Sequence, residues 1–340
     1  MRASIRMGVL ALAIVVGTAD SGRAADNAIR IGWQPAAFFE FFMAREEQMF
    51  EKAGLKPTFV KFISGPAMFA ALKSGDVDVT FGGMPPFVHG LAQDLDVSIF
   101  LWSFVGNLSL VVRPDSGIET IENLAGKKIA TVMGSSAHYT LLELLADYKI
   151  PASKVEILNM QVPSLLPAFT KGDIPAAIIW EPWGVKLTSA GGKRVGPYSG
   201  YTKYSQTAIY WGRREWMSEN AFIMKKFLGV IDQAIAVVRV DPARGAKALA
   251  NQAGLDPAEA LEILKIGVQS YVKDLREPLS GHPLAMRPAP GQKYAGHVEA
   301  LGKMADFLLA NGNIKTAVTR DRLVKAHSPE LLEAYLKDKK

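Results

Sequence analysis

Between Ile29 and Phe81 the sequence runs three times from a short apolar segment, through a loop of Gly, Pro or Ser, into a helix-like stretch. Ile29 to Trp33 reads as a strand that ends in Gln34-Pro35, and the helix after it carries Phe38, Phe41 and Phe42 before Gly54 stops it. Phe59 to Phe62 leads into Ser64-Gly65-Pro66 and a helix ending at Gly75, with proline in the first-turn position it tolerates. Val77, Val79 and Phe81 make a third strand, closed by Gly82-Gly83-Met84-Pro85-Pro86, and Val97 to Trp102 makes a fourth. This alternation builds an open parallel sheet, and such sheets bind ligands beyond the C-terminal ends of their strands. The loops holding Gln34, Ser64 and Gly83 are therefore predicted to line one edge.

A second alternating region begins at the strand and breaker LVVRPD, Leu110 to Asp115. It includes Val155 to Leu158 and a buried strand from Ala176 to Trp180 that ends in Glu181-Pro182-Trp183, and it closes near Tyr210-Trp211-Gly212. At its centre lies GKKIATVMGSSAHYTLLELLADY, Gly126 to Tyr148. There a short strand breaks at Gly134, and Leu141, Leu144, Leu145 and Tyr148 repeat at helical spacing. Ser135 and Ser136 suit a helix N-cap, whose free N–H groups carry partial positive charge. Gly134 to His138 thus reads as a strand-to-helix anion cradle, although an ordinary capped helix needs the same residues. After this region the pattern turns helical over Ala221 to Val240, Pro242 to Ala253, Asp256 to Val268 and Tyr294 to Asn311, with a loop from Pro278 to Gln292. The expected architecture is α/β, with two doubly wound sheets in two lobes. Residues 27–110 plus 213–340 form the first lobe and 113–210 the second, joined by two crossings that act as a hinge.

Export is expected. Arg2 and Arg6 precede an apolar run from Val9 to Val16 and the small-residue triplet Gly22-Arg23-Ala24, so residues 1–24 read as a signal peptide cleaved near Ala24 or Ala25. The run is too short to span a bilayer. With no cysteine, the chain offers no disulfide, thiolate metal site or cysteine nucleophile. The formal charge of +6 falls to +4 once residues 1–24 are removed, which suits an anionic solute but is no nucleic-acid footprint. The five histidines are scattered without metal-binding spacing, and neither a phosphate loop nor Gly-x-Ser-x-Gly is present. No enzyme activity, cofactor or metal is expected.

Six segments carry a resemblance: IGWQ, LKSGDVDVTFGGMPP, LVVRPDSGIETIENLAGKKIA, GSSAHYTLL, FTKGDIPAAIIWEPW and ADFLLANGNIK. Together they resemble the solute-binding proteins of ABC transporters for aliphatic sulfonates and taurine, in the wider group that includes nitrate and thiamine-precursor binders. The resemblance implies a two-lobed periplasmic-binding-protein fold of type II that acts as a free periplasmic monomer. It would trap a small organic anion in the interlobe cleft and deliver it to an inner-membrane permease. An aliphatic sulfonate, taurine first, is the expected ligand; nitrate, an aromatic carboxylate and a thiamine-pyrimidine precursor are the alternatives. Sulfonate and taurine members usually have Asp between the Trp and Pro where this chain has Glu181. Some proteins of the fold are catalytic, notably the cysteine-dependent thiamine-pyrimidine synthase, whose motif this chain lacks.

The expected ligand-binding residues are Gln34, Ser64, Gly82, Gly83 and Met84 from the first lobe, with Gly134, Ser135, Ser136, His138, Glu181 and Trp183 from the second. Ser135, Ser136 and nearby amides would donate to the anion, and Gly82 and Gly83 permit close backbone approach or a tight turn. His138, in the first helical turn, is expected to be neutral and to donate a hydrogen bond. Glu181 ends a buried strand, so it either meets a protein partner or receives a cationic group such as the taurine ammonium. Trp183 packs over a ligand's alkyl part or over its own lobe. His89 reads as structural.

Overall fold

A computed structural model describes residues 27–106, 108–196, 206–267, 272 and 274–339. The expected signal segment and its cleavage site lie outside these residues. The chain opens with β1 (Ala28–Trp33), α1 (Phe39–Glu46), α2 (Met49–Lys52), β2 (Lys56–Lys61), α3 (Gly65–Ser74), β3 (Val79–Gly82), α4 (Met84–Ala92) and β4 (Val97–Gly106). It continues through β5 (Leu108–Val112), β6 (Lys128–Thr131), α5 (Ser136–Asp147), β7 (Glu156–Asn159), α6 (Val162–Lys171), β8 (Ala176–Trp180), α7 (Trp183–Ser189) and β9 (Lys193–Arg194). The returning chain supplies β10 (Gln206–Arg213), α8 (Arg214–Glu219), α9 (Ala221–Val240), α10 (Pro242–Ala253), α11 (Pro257–Gly267), α12 (Gly296–Ala310), α13 (Arg320–Lys325) and α14 (Pro329–Asp338).

Two five-stranded sheets result, in the orders β2-β1-β3-β10-β4 and β7-β6-β8-β5-β9. In each, three parallel strands are followed by an antiparallel one that has crossed from the other half of the chain. This corrects the sequence-based lobe limits. Leu108–Val112 belongs to the second sheet, and Gln206–Arg213 lies inside the first, between β3 and β4. The reason is long-range. The buried Asp78 carboxylate binds Arg30 on β1 and Arg213 on β10, at 2.5 and 2.7 Å, which ties the returning strand to a partner more than 130 residues earlier. A further difference lies after β1, where the pattern predicts one helix to Gly54 but two form. Gln48 takes a left-handed φ of 54° and divides α1 from α2.

The larger core buries the faces of α1 and α9 against the first sheet. Phe38 and Phe41 meet Phe81 at 4.3 and 4.5 Å between ring centroids, and Phe227 closes on Tyr210 at 5.9 Å. Burial of rings this large dominates the apolar contribution to stability. The second lobe has two smaller apolar clusters, one on each face of its sheet, because helices cover both sides of a doubly wound sheet. The C-terminal helices are tied to β10 by a buried chain of hydrogen bonds. His327 Nδ1 donates to the Leu323 carbonyl at 2.6 Å, which leaves Nε2 to accept from His297 Nδ1 at 2.8 Å; His297 Nε2 then accepts from the Thr207 hydroxyl at 2.8 Å. Among the described residues, no helix is long and apolar enough to cross a membrane.

Candidate functional site

The site begins where β6 turns into α5. Gly134 takes a φ of +76°, a conformation that costs glycine little, and so turns the chain from strand to helix. Ser135 is the N-cap, and its hydroxyl accepts from the His138 backbone N–H at 3.4 Å. Ser136 and Ala137 open the helix at positions whose N–H groups have no intrahelical partner. The Gly134 N–H donates to His138 Nδ1 at 3.4 Å, so the proton of the neutral ring resides on Nε2. Burial, and secondarily the charge of nearby His89, push His138 down to about 4. The ring is thus neutral, with desolvation as the leading cause.

Loops of the first lobe close over this turn. A Cβ built on Gly83 would stand 1.8 Å from the Ser136 hydroxyl, so backbone and side chain touch across the lobes. A Cβ on Gly134 would lie 3.8 Å from Pro66 Cγ and 3.9 Å from His89 Nε2. One on Gly82 would lie 3.9 Å from the Gln34 amide nitrogen. Ser64 and Gly83 are the N-caps of α3 and α4, both buried or nearly so, and neither has a side-chain cap. The first turns of α3, α4 and α5 therefore meet at one place, with Gln34 and Met84 buried beside them. Each helix N-terminus favours an anion by about 0.3–1 kcal/mol. The prolines in α3 and α4 remove some amide donors, so α5 presents the fullest set.

Glu181 and Trp183 lie differently. Glu181 Oε1 accepts from Ser109 Oγ at 2.7 Å and from Arg194 Nη2 at 3.0 Å, and Oε2 accepts from the Val185 N–H at 2.8 Å. Of the two alternatives for this carboxylate, the structure shows protein partners. Arg194 reaches further, across to Glu262 on α11 at 3.1 Å. Trp183 packs against the apolar cluster of its own lobe, with Lys186 Nζ 5.5 Å from its ring centroid. Trp180, also at the end of β8, donates from Nε1 to the Pro35 carbonyl at 3.1 Å and so joins this edge to the β1–α1 loop.

Two residues at the site carry little sequence signal. Gln206, the first residue of β10, donates from Nε2 to Thr140 Oγ1 at 2.9 Å and to the Ser136 carbonyl at 3.4 Å. His89 lies on α4, and its Nε2 approaches Gly134. Neither sits in a distinctive motif; only the polarity of Gln206 at the start of the buried run QTAIYWG marks it. Among the described residues, the buried polar atoms without a hydrogen-bond partner include Gln34 Oε1, Gln206 Oε1, His89 Nε2 and Trp183 Nε1. Such atoms are costly when left unpaired; Gln206, His89 and Gln34 stand beside Ser136, Gly134 and Gly82, whereas Trp183 lies with its own lobe's cluster.

Several known proteins are similar to this chain in sequence or fold. The taurine-binding periplasmic protein of Escherichia coli K12 is 35% identical over 142 residues, covering 41% of this chain and 44% of the relative, less than half its length. A putative aliphatic sulfonates-binding protein of the same organism is 27% identical over 267 residues, 75% of this chain and 81% of the relative. The alkanesulfonate-binding protein SsuA from Xanthomonas axonopodis pv. citri, solved bound to MOPS, has a similar fold. It matches with a TM-score of 0.71 at 23% identity, over 89% of this chain and 98% of that one. The NMT1/THI5-like family model matches residues 36–245, most of the described chain, and the protein belongs to that family.

Proposed function

We propose that this protein is the solute-binding component of an ABC importer, exported to the periplasm, where it captures a small organic anion between its lobes and delivers it to a membrane permease. The carrying observation is the meeting of the first turns of α3, α4 and α5, from both lobes, around buried polar atoms that lack partners. The ligand we favour is an aliphatic sulfonate, and the names of the sulfonate- and taurine-binding relatives support that choice. Its oxygens would take the free amides of Ser136 and Ala137, the Ser136 hydroxyl and the imidazole N–H groups of His138 and His89. Each charge-assisted hydrogen bond contributes about 1.5–3 kcal/mol net, so a few such donors hold a sulfonate without arginine. Glu181 braces β8 through Arg194 and Ser109 and takes no ligand cation. Contacts made by both lobes at once select the closed form, so binding and closure are one equilibrium. The role is capture and release, without chemistry on the ligand.

The test is isothermal titration of ligand-stripped protein with a panel of alkanesulfonates, nitrate and benzoate, followed by the Ser136→Ala variant. Sulfonate binding that weakens about tenfold in the variant supports the reading. Tight binding of nitrate or benzoate with no response to sulfonates refutes the ligand assignment.

A further inference from the structure

The Gln206 side chain has two ends with different fates. Its Nε2 points at the Ser136 carbonyl, which can only accept, and at the Thr140 hydroxyl. That carbonyl sets the orientation of the amide, because a flip would place oxygen against oxygen. Oε1 is consequently turned the other way, and there it meets no donor, although the residue is only 7% exposed. Gln34 presents the same defect, with a residue exposure of 6% and an unpaired Oε1, beside Gly82 at the end of β3, the strand that pairs with β10. Both amides thus stand on the first sheet's edge, which the second lobe meets where Ser136 touches Gly83 and its carbonyl takes the Gln206 amide.

A sulfonate cannot satisfy these atoms. Its oxygens accept, and an acceptor needs a donor. Glu181 does not supply an alternative place for a cationic tail, since Ser109, Arg194 and Val185 already donate to it. We infer that Gln206, with Gln34, forms a tail-recognition subsite that requires an N–H or O–H donor on the ligand, so that the chain selects amino- or hydroxyalkanesulfonates over plain alkanesulfonates. This rests on the sulfonate reading above and adds to it. Because the acceptor is a neutral amide rather than a carboxylate, a hydroxyl serves as well as an ammonium, and charge on the tail is not what is recognised. A ligand lacking the donor leaves a buried acceptor unpaired, the situation in which binding sites discriminate most strongly.

The experiment compares taurine, 2-hydroxyethanesulfonate and ethanesulfonate by titration calorimetry on the purified protein, on Gln206→Leu and on Thr140→Val. The expected result is that taurine and 2-hydroxyethanesulfonate each bind wild type about tenfold or more tightly than ethanesulfonate. Gln206→Leu should bring all three within about threefold of one another. Thr140→Val removes only the structural partner of the amide and should keep the wild-type ratios whatever it does to absolute affinity. Ethanesulfonate within threefold of the others in wild type overturns the inference, as does a ratio that survives in Gln206→Leu. Should that variant fail to fold, Gln206→Glu takes its place: a carboxylate should favour taurine over the hydroxyl compound, and unchanged ratios overturn the assignment. If no sulfonate binds at all, the sulfonate reading fails separately. The same contrast between propionate and 3-hydroxypropionate then judges Gln206, and equal affinities, or binding of neither, overturn it.

Discussion

Gly83→Ala isolates closure from folding. Gly83 has φ −86° and ψ 169°, an extended conformation open to any residue, so alanine introduces no backbone strain in the first lobe. Where the backbone is compatible, Gly→Ala stabilises by about 0.4–1 kcal/mol by restricting the unfolded chain. Across the cleft the outcome reverses, because the new Cβ would lie 1.8 Å from Ser136 Oγ and 3.1 Å from Ser136 Cβ. Rotation of the hydroxyl relieves the first contact but not the second, and it also withdraws an anion donor. Overpacking of this kind costs about 1–3 kcal/mol, charged almost wholly to the closed form, which corresponds to roughly a 5- to 150-fold rise in Kd. Titration calorimetry gives the affinity, small-angle scattering gives the compaction on binding, and thermal unfolding without ligand gives the control. The variant should bind weakly while its ligand-free Tm holds or rises slightly. In a Ser136→Ala background the same change should cost much less, since only the 3.1 Å approach remains. Unchanged affinity refutes the reasoning, and so does a ligand-free Tm that falls in step with affinity.

Acid should destabilise the fold through its buried histidines. His297 and His327 are held below the usual imidazole range chiefly by burial, His327 at about 4, and His138 also lies at about 4. With folded pKa values below the unfolded value of about 6.5, the native state binds fewer protons, so stability is full above that pH and is lost as pH falls toward 4. At pH 5 one such histidine withdraws roughly 2 kcal/mol, and denaturant unfolding at pH 7.5 and pH 5 should show at least that difference, reduced in His327→Gln. A flat profile would sink this account. Glu262→Gln removes only the cross-lobe arm of Arg194 and should raise Kd no more than about fivefold, as suits a pair whose carboxylate is half exposed, with ligand-free stability unchanged. A shift beyond tenfold would show that the arm does more than latch the closed form. Arg194→Lys should instead lower the stability of the second lobe, because one ammonium cannot serve Glu181, Ser109 and Glu262 together.

Much of the fold was legible because its signals are local. The apolar runs of β1, β3 and β8, the glycine stops at Gly75 and Gly134, and the Ser135 cap are each set by neighbours within a few residues. The same holds for the strand-to-helix turn at Gly134 to His138, since a strand, a left-handed glycine and a capped helix define it without help from elsewhere. The sequence by itself therefore determined two α/β halves, the Gly, Ser and Pro loops that end their strands, and the turn at Gly134. What it could not determine was set by contacts between distant residues. β10 enters the first sheet because Asp78 holds both Arg30 and Arg213. Glu181 turns from the cleft because Ser109 and Arg194 arrive from other strands. Gln206 reaches the site only through the crossing that carries β10 back, and His89 becomes a cleft residue only when the second lobe brings Gly134 against it. Backbone geometry and capping act over one or two turns, whereas the pairing of a buried charge or amide depends on which residues tertiary packing brings within 3 Å, and no local pattern encodes that choice.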